Sequence, residues 1–367
     1  MFLRTLSLIS FKNYAEAELS FSPALNALTG DNGAGKTNVL DAIHYLGLCK
    51  SYFNPIDSQQ ILQGADFFML NGVFEKNGRD ETVSCAVKRN QKKQFRRNKK
   101  DYPRLADHIG LFPLVMVSPV DALLITEGSE ERRRFIDNVI SQTDNQYLDE
   151  LIAYNRILLN RNAVLKNMAE TGSADAALVE IFDEQLAASG MRIFERRKEF
   201  LDVFVPLFDQ HYRFLTGEAE PVSLVYQSPL FDGDFLTLLQ HTFARDRILQ
   251  RTSVGIHKDE LEFTVHDMPL KKFGSQGQQK SFLIALKLAQ YSYLQKAKGF
   301  KPLLLLDDIF DKLDDRRIGK LMEMVSHDDF GQVFITDTNR DRIQSVFDRI
   351  GKEIRIFDVV KGSIAHA

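Results

Sequence analysis

The string Gly30-Asp31-Asn32-Gly33-Ala34-Gly35-Lys36-Thr37 constrains this chain more than any other, because it fits the pattern G-x-x-x-x-G-K-[ST]. Glycines at these positions let consecutive backbone N–H groups turn inward around phosphate oxygens, at the positive end of a following helix. The context is right for that. Leu25 to Thr29 reads as a short apolar strand, and from Thr37 the positions Val39, Leu40, Ile43 and Leu46 keep helical spacing, with Gly47 placed as the helix C-cap. A strand, a glycine loop and a helix in that order bind a nucleoside triphosphate. The contacts fall on Gly30, Asp31, Asn32, Gly33, Ala34, Gly35, Lys36, Thr37 and Asn38. Lys36 reaches the β- and γ-phosphates, and the Thr37 hydroxyl is a ligand for Mg²⁺.

A second segment supplies what such a loop needs. Leu303 to Leu306 are four consecutive apolar residues followed by Asp307-Asp308. That is a strand buried on both faces with carboxylates emerging at its end. Asp307 is placed to hold Mg²⁺ with Thr37, while Asp308 and Lys36 are the candidate catalytic pair, Asp308 orienting or deprotonating the attacking water. Upstream, Gly274-Ser275-Gln276-Gly277-Gln278-Gln279 precedes a long helical pattern, with Ser275 lying 28 positions before Leu303. A serine hydroxyl and a glycine N–H at a helix start form another device suited to phosphate.

The rest of the chain fits an α/β architecture with additions. The first strands alternate through Phe2, Leu6 and Leu8, then Ala17, Leu19 and Phe21. Residues 65–120 are β-rich, with runs at Phe68–Phe74, Val83–Val87 and Leu114–Val117. From about Ser129 helical periodicity takes over, first through Leu159 and then from Leu178 towards Phe208; strands return beyond about residue 250. The expected organisation is an ATPase lobe over 1–125 with the phosphate loop and β-rich region, a helical lobe over 126–245, and a segment over 246–367 completing the ATPase head. Two cysteines make neither a disulfide framework nor a metal knuckle, and no apolar run approaches the roughly 20 residues of a membrane helix. A cytoplasmic protein is the expectation.

The net charge of −3 carries no signal for nucleic acid, but its distribution does. Lys88, Arg89, Lys92, Lys93, Arg96, Arg97, Lys99 and Lys100 fall in thirteen positions that contain no acid. Charge acts over about 10 Å at ordinary salt, so such a run can attract a polyanion to an otherwise acidic molecule. It reads either as a solvated hairpin at a sheet edge or as a surface that tracks a nucleic-acid backbone.

The serine-glycine string resembles the signature motif of ABC ATPases, and the order phosphate loop, signature, acidic strand strengthens that likeness. Within those ATPases the whole chain resembles the RecF family. Leu6 to Phe11 with Lys12-Asn13-Tyr14 is similar to the first strand and loop of RecF and SMC-type heads. Val117-Ser118-Pro119, Glu131-Arg132-Arg133-Arg134-Phe135-Ile136-Asp137 and Gly255-Ile256-His257-Lys258-Asp259-Glu260-Leu261 resemble further family segments. Ile256 departs from the family's proline and Glu260 from its second aspartate. The 239 positions between Lys36 and Ser275 hold none of the long heptad tracts of an SMC protein.

The resemblance implies an ABC-type head with an added antiparallel β region and an inserted helical lobe. It puts Lys12 and Asn13 beside the nucleotide. It has Ser275, Gln276, Gly277 and Gln278 of one chain face ATP held by a second copy, and makes Asp311, Leu313 and Asp314 a D-loop at that dimer interface. Asp308 stands where most ABC ATPases carry glutamate, and the shorter side chain implies slow hydrolysis, a switch that DNA stimulates. Asp337-Thr338 stand where many carry a switch histidine. ATP and Mg²⁺ are then the cofactors, and duplex DNA near single-stranded gaps is the target. RecR and RecO are the partners, acting through them on RecA, at the nucleoid. Two other readings remain: an SMC-like ATPase of DNA ends working with a separate nuclease, and an ABC subunit unrelated to DNA.

Overall fold

Two-residue burial shapes the antiparallel sheet near the start of the chain. In β4 (Phe67–Lys76) Phe68, Leu70, Gly72 and Phe74 point inward while their neighbours are partly exposed. The strand pairs antiparallel with β1 (Phe2–Phe11) and β5 (Arg79–Lys88). With β2 (Tyr14–Ser20), β6 (Gln94–Arg97) and β7 (Lys100–Asp101) they form an antiparallel sheet in the order β2-β1-β4-β5-β6-β7. The computed structural model describes residues 1–171, 176–217, 220–309, 315–326, 329–351 and 353–366.

The second sheet follows the opposite rule. In β3 (Leu25–Thr29), β8 (Leu114–Val117), β12 (Leu303–Leu306) and β13 (Val333–Asp337) every residue is buried, as strands covered on both faces require. Their parallel array continues into β14 (Ile354–Val360) and closes with antiparallel β15 (Ser363–His366), in the order β15-β14-β3-β13-β12-β8. The helix Lys36–Leu48 touches β4 and β5 of the first sheet and β8 and β13 of the second, so one hydrophobic core serves both. Gln332 fastens them too, accepting the Leu3 N–H at 2.7 Å and donating to the carbonyls of Leu3 and Ser22.

Residues 1–122, 210–219 and 276–367 form one compact unit, and residues 123–209 with 220–275 a second. The units divide the chain at 122/123 and 275/276, where the sequence suggested 125/126 and 245/246. The second unit contains helices Ser129–Ser141, Asn145–Thr171 and Phe235–Leu249, and most of Ala176–Thr216. It also holds a three-stranded sheet of β9 (Val222–Gln227), β10 (Glu260–Val265) and β11 (Met268–Pro269). The strands expected to rejoin the ATPase segment after residue 250 therefore belong here, because β10 pairs with β9 and β11 with β10. Two buried arginines organise this unit. Arg197 pairs with Asp259 at 2.6 Å and Asp137 at 2.9 Å, and Arg161 with Asp183 and Asp246 at 2.5 and 2.8 Å.

Gly47 is not the helix cap. The helix Lys36–Leu48 ends at Cys49, whose left-handed backbone returns its N–H to the Tyr45 carbonyl. A Cβ on Gly47 would lie 2.5 Å from Cδ2 of Leu114, so glycine here lets the helix approach β8 closely.

Candidate nucleotide-binding site

Strand order builds this site. β3 leads into the glycine loop, β12 into Asp307, and β13 lies between them. The loop turns at Gly30, Gly33 and Gly35, all with positive φ, before the helix begins at Lys36. Gly30 most needs to be glycine: φ is +145°, and a Cβ would fall 2.2 Å from the Val359 carbonyl oxygen on β14. Asn13 and Tyr14 support the loop from outside. The Asn13 amide donates to the Ala34 carbonyl at 2.9 Å and accepts from Asn38 at 2.7 Å, and the Tyr14 hydroxyl donates to the Gly35 carbonyl at 3.1 Å. Lys36 is buried along its stem, its Nζ donating to the carbonyls of Gly30 and Asp31 at 2.7 and 3.0 Å. A cation held against a glycine loop at a helix start is suited to a polyphosphate.

The acid end of β12 converges on the same place. The Thr37 hydroxyl donates to Oδ1 of Asp307 at 2.8 Å, the Thr336 hydroxyl of β13 donates to the same oxygen at 2.8 Å, and Ser118 after β8 approaches Oδ2 at 3.4 Å. Burial pushes the Asp307 carboxyl above its ordinary range, the three hydroxyls partly opposing that. Thr336 also accepts the N–H of Asp308, whose own φ of 48° is left-handed. Thr336 was missed from sequence, and Ser118 was noted there only within a family segment; their position at strand ends on either side of β12 is the signal that could have marked both for this site.

Other candidates sit differently from expectation. Lys12 is engaged by Asp41 at 2.6 Å, a carboxylate with no exposure, one helical turn after Thr37. Ser275 and Gln276 are exposed at the start of the helix Gln276–Lys298, and Gly277 and Gln278 are half-buried in its first turn. Asp311, Leu313 and Asp314 lie outside the described residues. Asp337 is taken up by Arg342 at 2.8 Å and by the Asn339 N–H at 2.6 Å.

The basic run divides. Lys93 pairs with Asp57 at 2.8 Å and donates to the Cys49 carbonyl at 2.7 Å, Arg97 grips both oxygens of Glu81, and Arg96 pairs with Asp101. Lys88, Lys92, Lys99 and Lys100 are exposed and make no ion pair among the described residues; Arg89, also exposed, reaches only the Ala65 carbonyl at 3.4 Å. The segment folds as the edge of the antiparallel sheet, and its acids come from elsewhere in that unit.

In the second unit, the arginines matched from sequence hold structure. Arg132 meets Glu260 through two bonds of 2.7 and 2.9 Å, Arg133 donates to the Asp259 carbonyl, and Arg134 pairs with Glu130 and Glu131. His257 is an interior histidine, between the Tyr154 hydroxyl and the Thr252 carbonyl, and burial lowers its pKa to about 4.

Comparison with known proteins adds to this geometry. A family model described as the RecF/RecN/SMC N terminal domain matches residues 2–362. The chain is 51% identical to a DNA replication and repair protein RecF of Flavobacterium johnsoniae, over 98% of this chain and 100% of the relative. A protein of the same description from Phocaeicola vulgatus is 48% identical, covering 99% and 98%. Among solved structures, the recombination mediator protein RecF with ATP, described in the RecFOR pathway, superposes with a TM-score of 0.91 at 27% identity, covering 100% of this chain and 97% of that one. An SMC head domain from Pyrococcus furiosus, bound to the C-terminal domain of ScpA, superposes at 0.58 with 16% identity over 100% and 96%, a likeness of fold.

Proposed function

The chain belongs to the RecF family, and from that premise we propose that it is an ATP-operated DNA clamp of recombinational repair and replication. The family makes it an ATP-binding protein with an ABC-type head. The observation that carries the reading is the meeting of Thr37 with Asp307 at 2.8 Å, directly after a glycine loop at a helix start. Two hard oxygen atoms in contact at that point suit Mg²⁺. When bound, the ion would neutralise phosphate charge.

The chain's own residues do the rest. The loop N–H groups and Lys36 hold the triphosphate, and Asn13 keeps the loop in shape through Ala34. Asp308, its backbone held by Thr336, orients the attacking water; its short reach makes hydrolysis slow, and DNA accelerates it. Ser275 and Gly277 of one chain close on ATP held by another, so that nucleotide joins two copies around duplex DNA beside a single-stranded gap. The head is assembled from residues 1–122 and 276–367, with the helical unit inserted between these segments in sequence. RecR and RecO act with this dimer to place RecA, and hydrolysis releases it.

Fluorescence anisotropy of a gapped and an intact duplex, with Mg-ATP, with Mg-ADP and for Lys36→Met, tests the proposal. ATP should strengthen binding, the variant should lose that gain, and the gapped duplex should be preferred. Binding that is absent, or indifferent to nucleotide, would overturn the clamp.

A further inference from the structure

The helix Gln276–Lys298 carries a lysine in its interior that no expected role requires. Lys287 is 6% exposed and lies three turns beyond the exposed Ser275 and Gln276. Its Nζ meets Oδ1 of Asp121 at 2.6 Å, a carboxylate that is also 6% exposed, and reaches the Tyr52 hydroxyl at 3.0 Å. Tyr52 in turn donates to the same Asp121 oxygen. Taking both charges out of water is costly, and an apolar pair of similar volume would hold the helix at least as well. A stability role alone does not account for them.

Their connections do. Asp121 closes the turn after β8 by accepting the Ser118 N–H at 2.7 Å, and the hydroxyl of that serine approaches Asp307. On the other side, the Tyr52 N–H donates at 2.6 Å to Asp41, which lies on the helix that starts at Lys36 and holds Lys12. One buried polar chain thus runs from the serine-glycine helix through Lys287, Asp121 and Ser118 to the acid of β12. A branch through Tyr52 and Asp41 reaches the phosphate-loop helix.

We propose that Lys287 and Asp121 are positioning residues for ATP hydrolysis, fixing the helix that begins at Gln276 in register with Asp307. This deepens the ATPase reading and rests on it. Oriented charge and hydrogen bonds hold a defined geometry where apolar packing tolerates sliding, and displacement of about 1 Å at a reacting centre costs up to roughly a hundredfold in rate.

The deciding variant is the double substitution Lys287→Met with Asp121→Leu, compared with each single change and with Lys287→Arg. Thermal midpoint, affinity for a fluorescent ATP analogue, steady-state ATP turnover and ATP-dependent sedimentation of the full chain are measured for each. The singles should lose stability, each leaving a buried charge alone, and the double should recover it. Turnover in the double should stay at least about tenfold down, with analogue affinity within about twofold and ATP-dependent association weakened. Lys287→Arg, which keeps the charge, should recover part of the turnover. A double variant that hydrolyses ATP and self-associates like the unaltered chain would overturn the proposal, because the pair would then only support the fold. So would a double variant that does not fold. An unaltered chain that binds the analogue without hydrolysing it would instead refute the ATPase reading itself.

Discussion

The Thr37 hydroxyl and the Asp307 carboxylate share a 2.8 Å hydrogen bond across 270 positions of sequence. Asp307 makes no ion pair among the described residues, and its carboxylate is held by hydroxyls from three separate segments. Asp307→Asn keeps an oxygen for those donors and removes the buried charge. It should leave the thermal midpoint unchanged or slightly higher, while lowering ATP turnover by about a hundredfold or more, as expected where charge at a phosphoryl-transfer site is lost. Parallel loss of fold and turnover would argue against a site role.

Gly30→Ala tests the loop by geometry. The new methyl meets the Val359 carbonyl in a conformation that side chains avoid, so β14 or the loop must move. A loss of about 1–3 kcal/mol in stability is expected, together with reduced affinity for a fluorescent ATP analogue. Gly33→Ala, where a Cβ would meet nothing within 4 Å, should be milder despite its positive φ.

The divided basic run gives a paired prediction. Changing Lys88, Lys92, Lys99 and Lys100 to alanine should leave stability nearly unaltered. If this edge meets DNA, the slope of log affinity against log salt should flatten by about one for each lysine that faced a phosphate. Lys93→Ala should behave differently, costing about 1–2 kcal/mol of stability because it strips a bond from the Cys49 carbonyl and leaves Asp57 without its cation. Denaturant titration separates the two classes, and an unchanged salt slope in the quadruple variant would remove the edge from the DNA surface.

Acid should unfold this protein early. Burial pushes His44, His108, His211 and His257 down to about 4 from an ordinary 6.5. Between those values the unfolded chain binds protons that the folded chain refuses, so stability is complete above pH 6.5 and is lost as pH falls towards 4. Each histidine contributes about 1–2 kcal/mol to the loss by pH 5. Urea midpoints at pH 7 and pH 5 should therefore differ sharply, whereas a flat profile would mean that these rings are solvated.

What the sequence disclosed was local or periodic. The glycine loop, its flanking strand and helix, and the apolar run before Asp307 each carry their chemistry within a dozen residues, and the structure folds them as strand, loop, helix and buried strand. The ABC-type head with its β region and helical insertion was legible for the same reason. Partners supplied by distant segments were not. Nothing near Lys93 or Arg97 announces Asp57 or Glu81, and nothing near Lys12 announces that Asp41 will meet it from the next helix. Thr336, Ser118 and Lys287 are ordinary residues in sequence, and only the order of strands gives them neighbours. Gly47 looked like a cap because glycine commonly ends helices; the packing of that helix against Leu114 made the other demand on it.

The order of strands in the mainly parallel sheet also sets a timetable for the newborn chain. β3 spans Leu25–Thr29, yet both of its neighbours, β13 and β14, are translated only after residue 330. The second unit, complete by residue 275, has its whole set of segments much earlier. Until those strands are made the phosphate loop lacks the sheet that shapes it, and an apolar strand waits for partners distant in sequence. A complete phosphate site at this loop therefore has to wait until β13 and β14 have been made.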